Sequence, residues 1–226
     1  MTIDDYFGDW MKVLDRNKTM KIMGWLKIVN KNTLCPNIKD VFKAFKLCPY
    51  DKCRVIFIGQ DPYYQKDIAQ GILFGNSSNT PEDKLSPSLQ VIKESVINFE
   101  IPHNLITFDP TLESWAKQGI LMINSALTTE VGKTGVHMMM WRPFMTSFLR
   151  KMSTINTGII YVLFGGQAQV LEPYISANNY VLKIEHPAYF ARVKKKMPND
   201  IWRVINKLLY DLYGERIEWF KEENFN

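Results

Sequence analysis

The chain has 226 residues, of which 46% are hydrophobic and 23% charged, with a formal net charge of +5. These are ordinary globular values for a chain long enough to bury a substantial core, and they exclude a disordered or low-complexity polypeptide. No apolar stretch approaches the roughly 20 residues that span a membrane, and the positive balance is compatible with a polyanionic partner. In chain order, helical patterns come first, over 10–30 and 38–45. The apolar run Val55-Ile56-Phe57-Ile58 reads as an interior strand over 54–58, ended abruptly by Gly59 and Pro62. Ser86-Pro87 starts a helix over 87–99, with Leu89, Ile92, Val96 and Phe99 along one face. Asp109 caps the next helix, with Pro110 at its first position and Gly119 after its end. Strands follow over 120–123, 158–164 and Tyr180–Ile184, with a helix over 141–152 between the first two. The last helix, Asp200–Tyr213, carries Ile201, Val204, Ile205, Leu208, Leu209 and Leu212 as a stripe and stops at Gly214. Strands alternating with helices give an α/β fold, a single domain over 1–226 with a central four-stranded parallel sheet flanked by helices on both faces.

The three cysteines, Cys35, Cys48 and Cys53, form no Cys-x-x-Cys pair, which argues for reduced thiols in an intracellular protein rather than a disulfide framework or zinc site. His103, His137 and His186 are too widely spread to show metal-ligand spacing. Met-Thr-Ile-Asp-Asp at the start has no basic region followed by an apolar one, so no signal peptide is expected.

The polar signals gather at the C-terminal ends of the strands. The first delivers Gln60, Asp61 and Tyr63, the second Asn124, the third Gly165-Gly166-Gln167 and the fourth Glu185-His186-Pro187. In a parallel sheet these ends lie along one edge, where open α/β folds bind ligands. Each signal has a plainer explanation when taken singly. Asp61 can cap backbone amides, Asn124 can form a turn, and a Gly-Gly pair can be a flexible corner. A lone His is more often structural than catalytic, and Phe74 by itself reads as core. Their joint occurrence at all four strand ends favours a shared site.

These residues also carry a resemblance. Gly59-Gln60-Asp61-Pro62-Tyr63 matches the water-activating loop of family-1 uracil-DNA glycosylases, and 69–74, ending in Gly71-Ile72-Leu73-Phe74, resembles the segment whose Phe stacks on uracil. Ser86-Pro87-Ser88-Leu89 is similar to the family's Pro/Ser loop, and Trp115-Ala116-Lys117-Gln118-Gly119 leads to a uracil-reading Asn at Asn124. Phe164-Gly165-Gly166-Gln167 is similar to the Gly-Ser loop that compresses the DNA backbone, and His186-Pro187 opens the equivalent of the minor-groove loop. Tyr64 stands where the family usually has His, Ala188 where it has Ser, and Phe190 where it has an intercalating Leu. A following Gly-Phe-Phe is replaced by Ala191-Arg192-Val193-Lys194-Lys195-Lys196.

The resemblance implies an enzyme that flips uracil out of DNA and hydrolyses its N-glycosidic bond, as in base-excision repair. Asp61 and His186 are then the catalytic pair, and Gln60, Tyr63, Phe74 and Asn124 hold the base. Pro87, Ser88, Gly165, Gly166, Ala188, Phe190, Arg192 and Lys194 face DNA, with Phe190 as the apolar wedge. No metal or organic cofactor is implied. Uracil-containing DNA is the expected partner of a monomer that has no membrane association, and a protein inhibitor or replication partner is left open. A DNA-binding or processivity protein with little activity is the alternative. Another kind of nucleotide-binding domain is disfavoured, because no Gly-x-Gly-x-x-Gly or Walker-type loop follows the first strand.

Overall fold

The computed structural model describes residues 2–99 and 106–222; His103 lies outside them. In chain order, α1 (Ile3–Phe7) and α2 (Arg16–Ile28) precede β1 (Leu34–Cys35), α3 (Lys43–Leu47) and β2 (Val55–Gly59). Then come α4 (Pro87–Ile97), β3 (Ile106–Thr107), α5 (Glu113–Lys117), β4 (Ile120–Asn124) and β5 (Thr129–Glu130). They are followed by α6 (Met138–Ile155), β6 (Ile160–Phe164), α7 (Gly166–Gln169), β7 (Tyr180–Ile184), α8 (Pro187–Val193), α9 (Asp200–Tyr213) and β8 (Lys221–Glu222).

The main sheet has four parallel strands in the order β4-β2-β6-β7. Its strands are nearly continuous runs of Ile, Val, Leu and Phe because both faces are covered. Side chains alternate across the sheet. Ile56, Ile58, Leu121, Ile123, Tyr161 and Leu163 pack into one core with α2 and α6. Val55, Phe57, Ile120, Met122, Val162 and Phe164 pack into the other with α4, α8 and α9. Only the edge strand β7 is partly open. Two short antiparallel ladders, β1 with β5 and β3 with β8, lie outside this sheet.

The pairing register sets the site. Gly59 lies opposite Asn124, Ile58 opposite Leu163, and Phe164 opposite Ile184. The strands therefore end level, and Gln60, Ser125, Gly165 and Glu185 leave the sheet side by side. Backbone bonds stitch these exits together. Ser125 N–H donates to Gly59 O at 2.9 Å, Ala126 N–H to Gln60 O at 3.0 Å, and Gly165 N–H to Ile184 O at 2.8 Å.

Several boundaries differ from the sequence reading for local reasons. The single helix expected over 10–30 is a 3-10 turn, Gly8–Lys12, followed by α2, whose start is capped by Asp15 through Lys18 N–H at 3.0 Å. The segment 38–45 likewise divides into a 3-10 turn, Ile38–Asp40, and α3. Asp109 does cap, but within a loop: its carboxylate accepts from Thr111 N–H at 2.9 Å and Ser114 N–H at 2.8 Å. Leu112 is left-handed at φ 57°, so α5 cannot begin before Glu113. In contrast, α6 extends beyond the expected 141–152 at both ends and accommodates Pro143 in its interior. All three cysteines are buried and unpaired. No described helix is long and apolar enough to cross a membrane.

Candidate active site

A cavity of about 270 Å³ opens at the level ends of β2 and β4 and is lined by Gln60, Asp61, Tyr63, Phe74, Asn124 and His186, among others. Clefts for drug-sized ligands run from about 300 to 1,000 Å³, so this one suits a single flat ring. All six residues assigned from sequence to catalysis and base binding therefore meet in one pocket, although up to 126 positions separate them, from Gln60 to His186.

Asn124 ends β4 and is 7% exposed, and its Oδ1 is buried without a hydrogen-bond partner. An unpaired buried acceptor costs about 1–3 kcal/mol, so its presence here marks a place for a ligand donor. Gly59 makes room for it. A Cβ at Gly59 would stand 2.8 Å from Asn124 Oδ1 and would collide with Leu73 Cδ1. In the sequence Gly59 reads as a strand breaker and the start of the Gly59-Gln60-Asp61-Pro62-Tyr63 motif; the structure adds this close approach.

Asp61 is half-buried, and its Oδ2 accepts from the backbone N–H of Gly135 at 2.5 Å. Burial pushes its carboxyl above the ordinary 3.8, and the bonds from Gly135 and Thr129 only partly offset this. The loop that carries Gly135 is held from behind. Trp141 Nε1 donates to Thr128 Oγ1 at 2.7 Å, and Thr128 Oγ1 is 3.0 Å from His137 Nδ1. The Thr128 hydroxyl thus links the indole to the imidazole. Gly135 was missed from sequence. The run Val131-Gly132-Lys133-Thr134-Gly135 signals a turn, but nothing local says that Asp61 is its partner.

His186 stands at the N-terminus of α8, where its Nδ1 accepts from Ala188 N–H at 3.2 Å. That bond assigns the remaining proton to Nε2. Burial pushes the imidazole below the ordinary 6.5, so it is neutral at pH 7 and still a donor. Gly165, at φ 81°, lets the two segments close up, since a Cβ there would lie 2.9 Å from His186 Cβ. Gly166 is exposed with open space beside it.

Phe74 is 5% exposed and, unusually for a non-glycine residue, holds φ at 65°. Backbone strain of this kind gathers at ligand sites. Its ring lies edge-on to Phe164 at 5.2 Å and to His186 at 5.4 Å. Tyr63 donates from its hydroxyl to Phe74 O at 3.1 Å.

The outer residues divide. Pro87 is exposed at the first position of α4, whereas Ser88 is buried and turned toward the Tyr63 phenol. Ala188, Arg192 and Lys194 are exposed on and just after α8. Phe190 requires a correction: it is 8% exposed and packed into the core shared with α4, so it is not a free wedge. A helix of seven residues begins directly after His186, and Pro187 and Phe190 form its inner face at a spacing of three. The ring left outside is Tyr189, 37% exposed and edge-on to Phe190 at 5.4 Å.

Level strand ends, a ring-sized pocket with an orphaned amide, a desolvated carboxylate and a neutral imidazole donor define an α/β enzyme built to bind a planar heterocycle. Residues 45–209 match the family model described as the Uracil DNA glycosylase superfamily, and the chain belongs to that superfamily. Relatives named uracil-DNA glycosylase include one from Coxiella burnetii, 30% identical over 225 residues and 95% of each chain. One from Buchnera aphidicola is 31% identical, covering 93% of this chain and 97% of that one. In fold, the chain resembles mimivirus uracil-DNA glycosylase, with a TM-score of 0.71, 22% identity, and coverage of 96% and 91%.

Proposed function

We propose that this chain is a uracil-DNA glycosylase of the family-1 type that flips uracil from DNA and hydrolyses its N-glycosidic bond, leaving an abasic site. The observation that carries the reading is the orphaned Oδ1 of Asn124 in a ring-sized pocket. Oδ1 accepts the N3–H of uracil while the amide nitrogen donates to O4. Cytosine offers an acceptor and a donor at those places and leaves both groups unpaired, which sites of this kind reject strongly. Phe74 stacks on the flipped ring. Tyr63 stands beside C5, where a thymine methyl would clash, and Gln60 closes the pocket mouth.

The C1′–N1 electron pair leaves with the base, and the sugar gains oxocarbenium character. Asp61 stabilises that charge and orients the water whose oxygen becomes bonded to C1′; a proton from the water ends on the released base. His186, protonated at Nε2 and neutral overall, donates to uracil O2 as negative charge grows there. The DNA strand lies across Pro87, Ser88, Gly165, Gly166 and Ala188. Arg192 and Lys194 are near phosphates, and Tyr189 rather than Phe190 is the ring presented to the bases. The chain acts as one domain and one monomer, inside the cell, on DNA.

The test is incubation with a uracil-containing oligonucleotide, followed by assay of free base and abasic sites. Uracil release without thymine or cytosine release is expected. Tight DNA binding with no base release would overturn the reading in favour of a DNA-binding protein that keeps the fold.

A further inference from the structure

Ser86 occupies the residue before α4, the place where a serine normally caps a helix, yet its hydroxyl makes no capping bond. It donates instead to the Tyr63 hydroxyl at 2.5 Å. The Tyr63 hydroxyl in turn donates to the carbonyl of Phe74 at 3.1 Å. Because the phenol has one proton and gives it to Phe74, the Ser86 proton must point at the phenol. The chain runs one way, from Ser86 to Tyr63 to Phe74, and each bond polarises the next.

Both ends of the chain are fixed. Ser86 N–H donates at 2.7 Å to Oδ1 of Asn76, which is 1% exposed, and Asn76 N–H donates to Pro110 O at 2.8 Å. Phe74, at φ 65°, sits in a conformation that surrounding contacts must hold. Tyr63 is thus clamped between the fixed Ser86, with Ser88 also turned toward its phenol, and a fixed carbonyl.

We infer that Ser86 is a specificity-determining residue, a positioning group that holds the Tyr63 ring as a rigid wall beside C5 of the pyrimidine. The inference rests on the reading of the pocket as a uracil site. A wall excludes a methyl group only if it does not yield. A swing of the tyrosine side chain about χ1 would open space for one, and because that swing carries the hydroxyl away from Ser86, the Ser86 bond opposes it. The bond also ties the wall to the first turn of α4, which carries Pro87 and Ser88, so the strand-facing segment and the base pocket move together.

The experiment compares wild type, Ser86→Ala, Ser86→Thr, Tyr63→Phe and the double variant Ser86→Ala/Tyr63→Phe. Oligonucleotides carrying uracil or thymine are used with enzyme in excess, and KM is measured separately for the uracil substrate. Ser86→Ala is expected to keep uracil release within about threefold of wild type and to raise the thymine-to-uracil rate ratio about tenfold. That is roughly the scale of one neutral hydrogen bond. Ser86→Thr, which keeps the hydroxyl, restores the wild-type ratio. Tyr63→Phe, which loses the bonds to both Ser86 and Phe74, raises the ratio at least as far as Ser86→Ala, and adding Ser86→Ala to it changes little. Thermal unfolding confirms that each variant is folded, and Tyr63→Phe probes the same bond from its other side.

If wild type releases uracil but the ratio is unchanged in both Ser86→Ala and Tyr63→Phe, the assignment of Ser86 is overturned and the functional reading stands. A rise in KM alone, equal for both bases, also overturns it and makes Ser86 a DNA-backbone contact. If wild type releases no uracil, the functional reading falls and this inference with it.

Discussion

Asp61 is held in a state that works against the stability of the fold. Its carboxyl is raised above 3.8 by burial, so the folded chain binds its proton more tightly than the unfolded chain. Stability from this group therefore declines as pH rises from 3.8 through the folded value. Asp61→Asn removes the buried charge and can still accept from Gly135. Its Tm at pH 7 is expected to equal or exceed that of wild type, with the difference vanishing below pH 3.8, while base release falls by about a hundredfold or more. A lowered Tm together with normal turnover would contradict both halves. His186 runs in the opposite sense. Burial depresses it below 6.5, so its contribution to stability is complete above 6.5 and is lost as pH falls through the folded value. A fall in base release on the acid side is expected from both groups, as Asp61 takes up a proton and His186 acquires a charge. These two residues, and Asn124, were legible in the sequence because each stands within three residues of the end of an apolar run. Gly135 and Ser86 were not, since their roles depend on partners 74 and 23 positions away in sequence.

At the scale of elements, α8 decides which aromatic ring faces outward. The sequence shows Tyr189 and Phe190 side by side, and which one is buried depends on where a helix begins. The expectation of a loop after His186 hid that phase; the structure starts α8 at Pro187 and turns Phe190 inward. Phe190→Ala is therefore expected to cost about 3–5 kcal/mol in chemical denaturation, as core phenylalanine truncations do. Tyr189→Ala should change stability by no more than about 0.5 kcal/mol and reduce cleavage of duplex more than of single strands, where less unstacking is needed. The pairing of β2 with β4 makes an equally local demand. Gly59→Ala places a methyl against Asn124 Oδ1 and Leu73. It is expected to cost about 1–3 kcal/mol through overpacking and to abolish most base release, measurable as lost turnover in a chain that still unfolds cooperatively.

For the molecule as a whole, Lys194, Lys195 and Lys196 are exposed beyond the end of α8. Replacing all three by alanine should weaken DNA binding for every sequence and lower the salt slope by about 0.9 for each lysine that meets a phosphate. An unchanged slope would place the strand elsewhere. The four strands of the main sheet were readable to within two residues at either end, because the three buried ones, β2, β4 and β6, leave strong apolar runs, and Tyr180–Ile184 coincides with β7 residue for residue; the two-residue strands β1, β3, β5 and β8 leave no such run. Strand order was not readable, since β2 pairs with strands 65 and 105 positions further on and no local pattern encodes that choice. This arrangement also has a consequence for biosynthesis. Of the four strands of the main sheet, the central β2, with Asp61 behind it, leaves the ribosome before β4 and β6, and β7 with His186 follows them. A nascent chain released after Phe164 holds Asp61 and Asn124 but lacks β7 and His186. Of the proposed catalytic pair, Asp61 is thus made early and His186 late, and a product terminated between them has a half-built pocket.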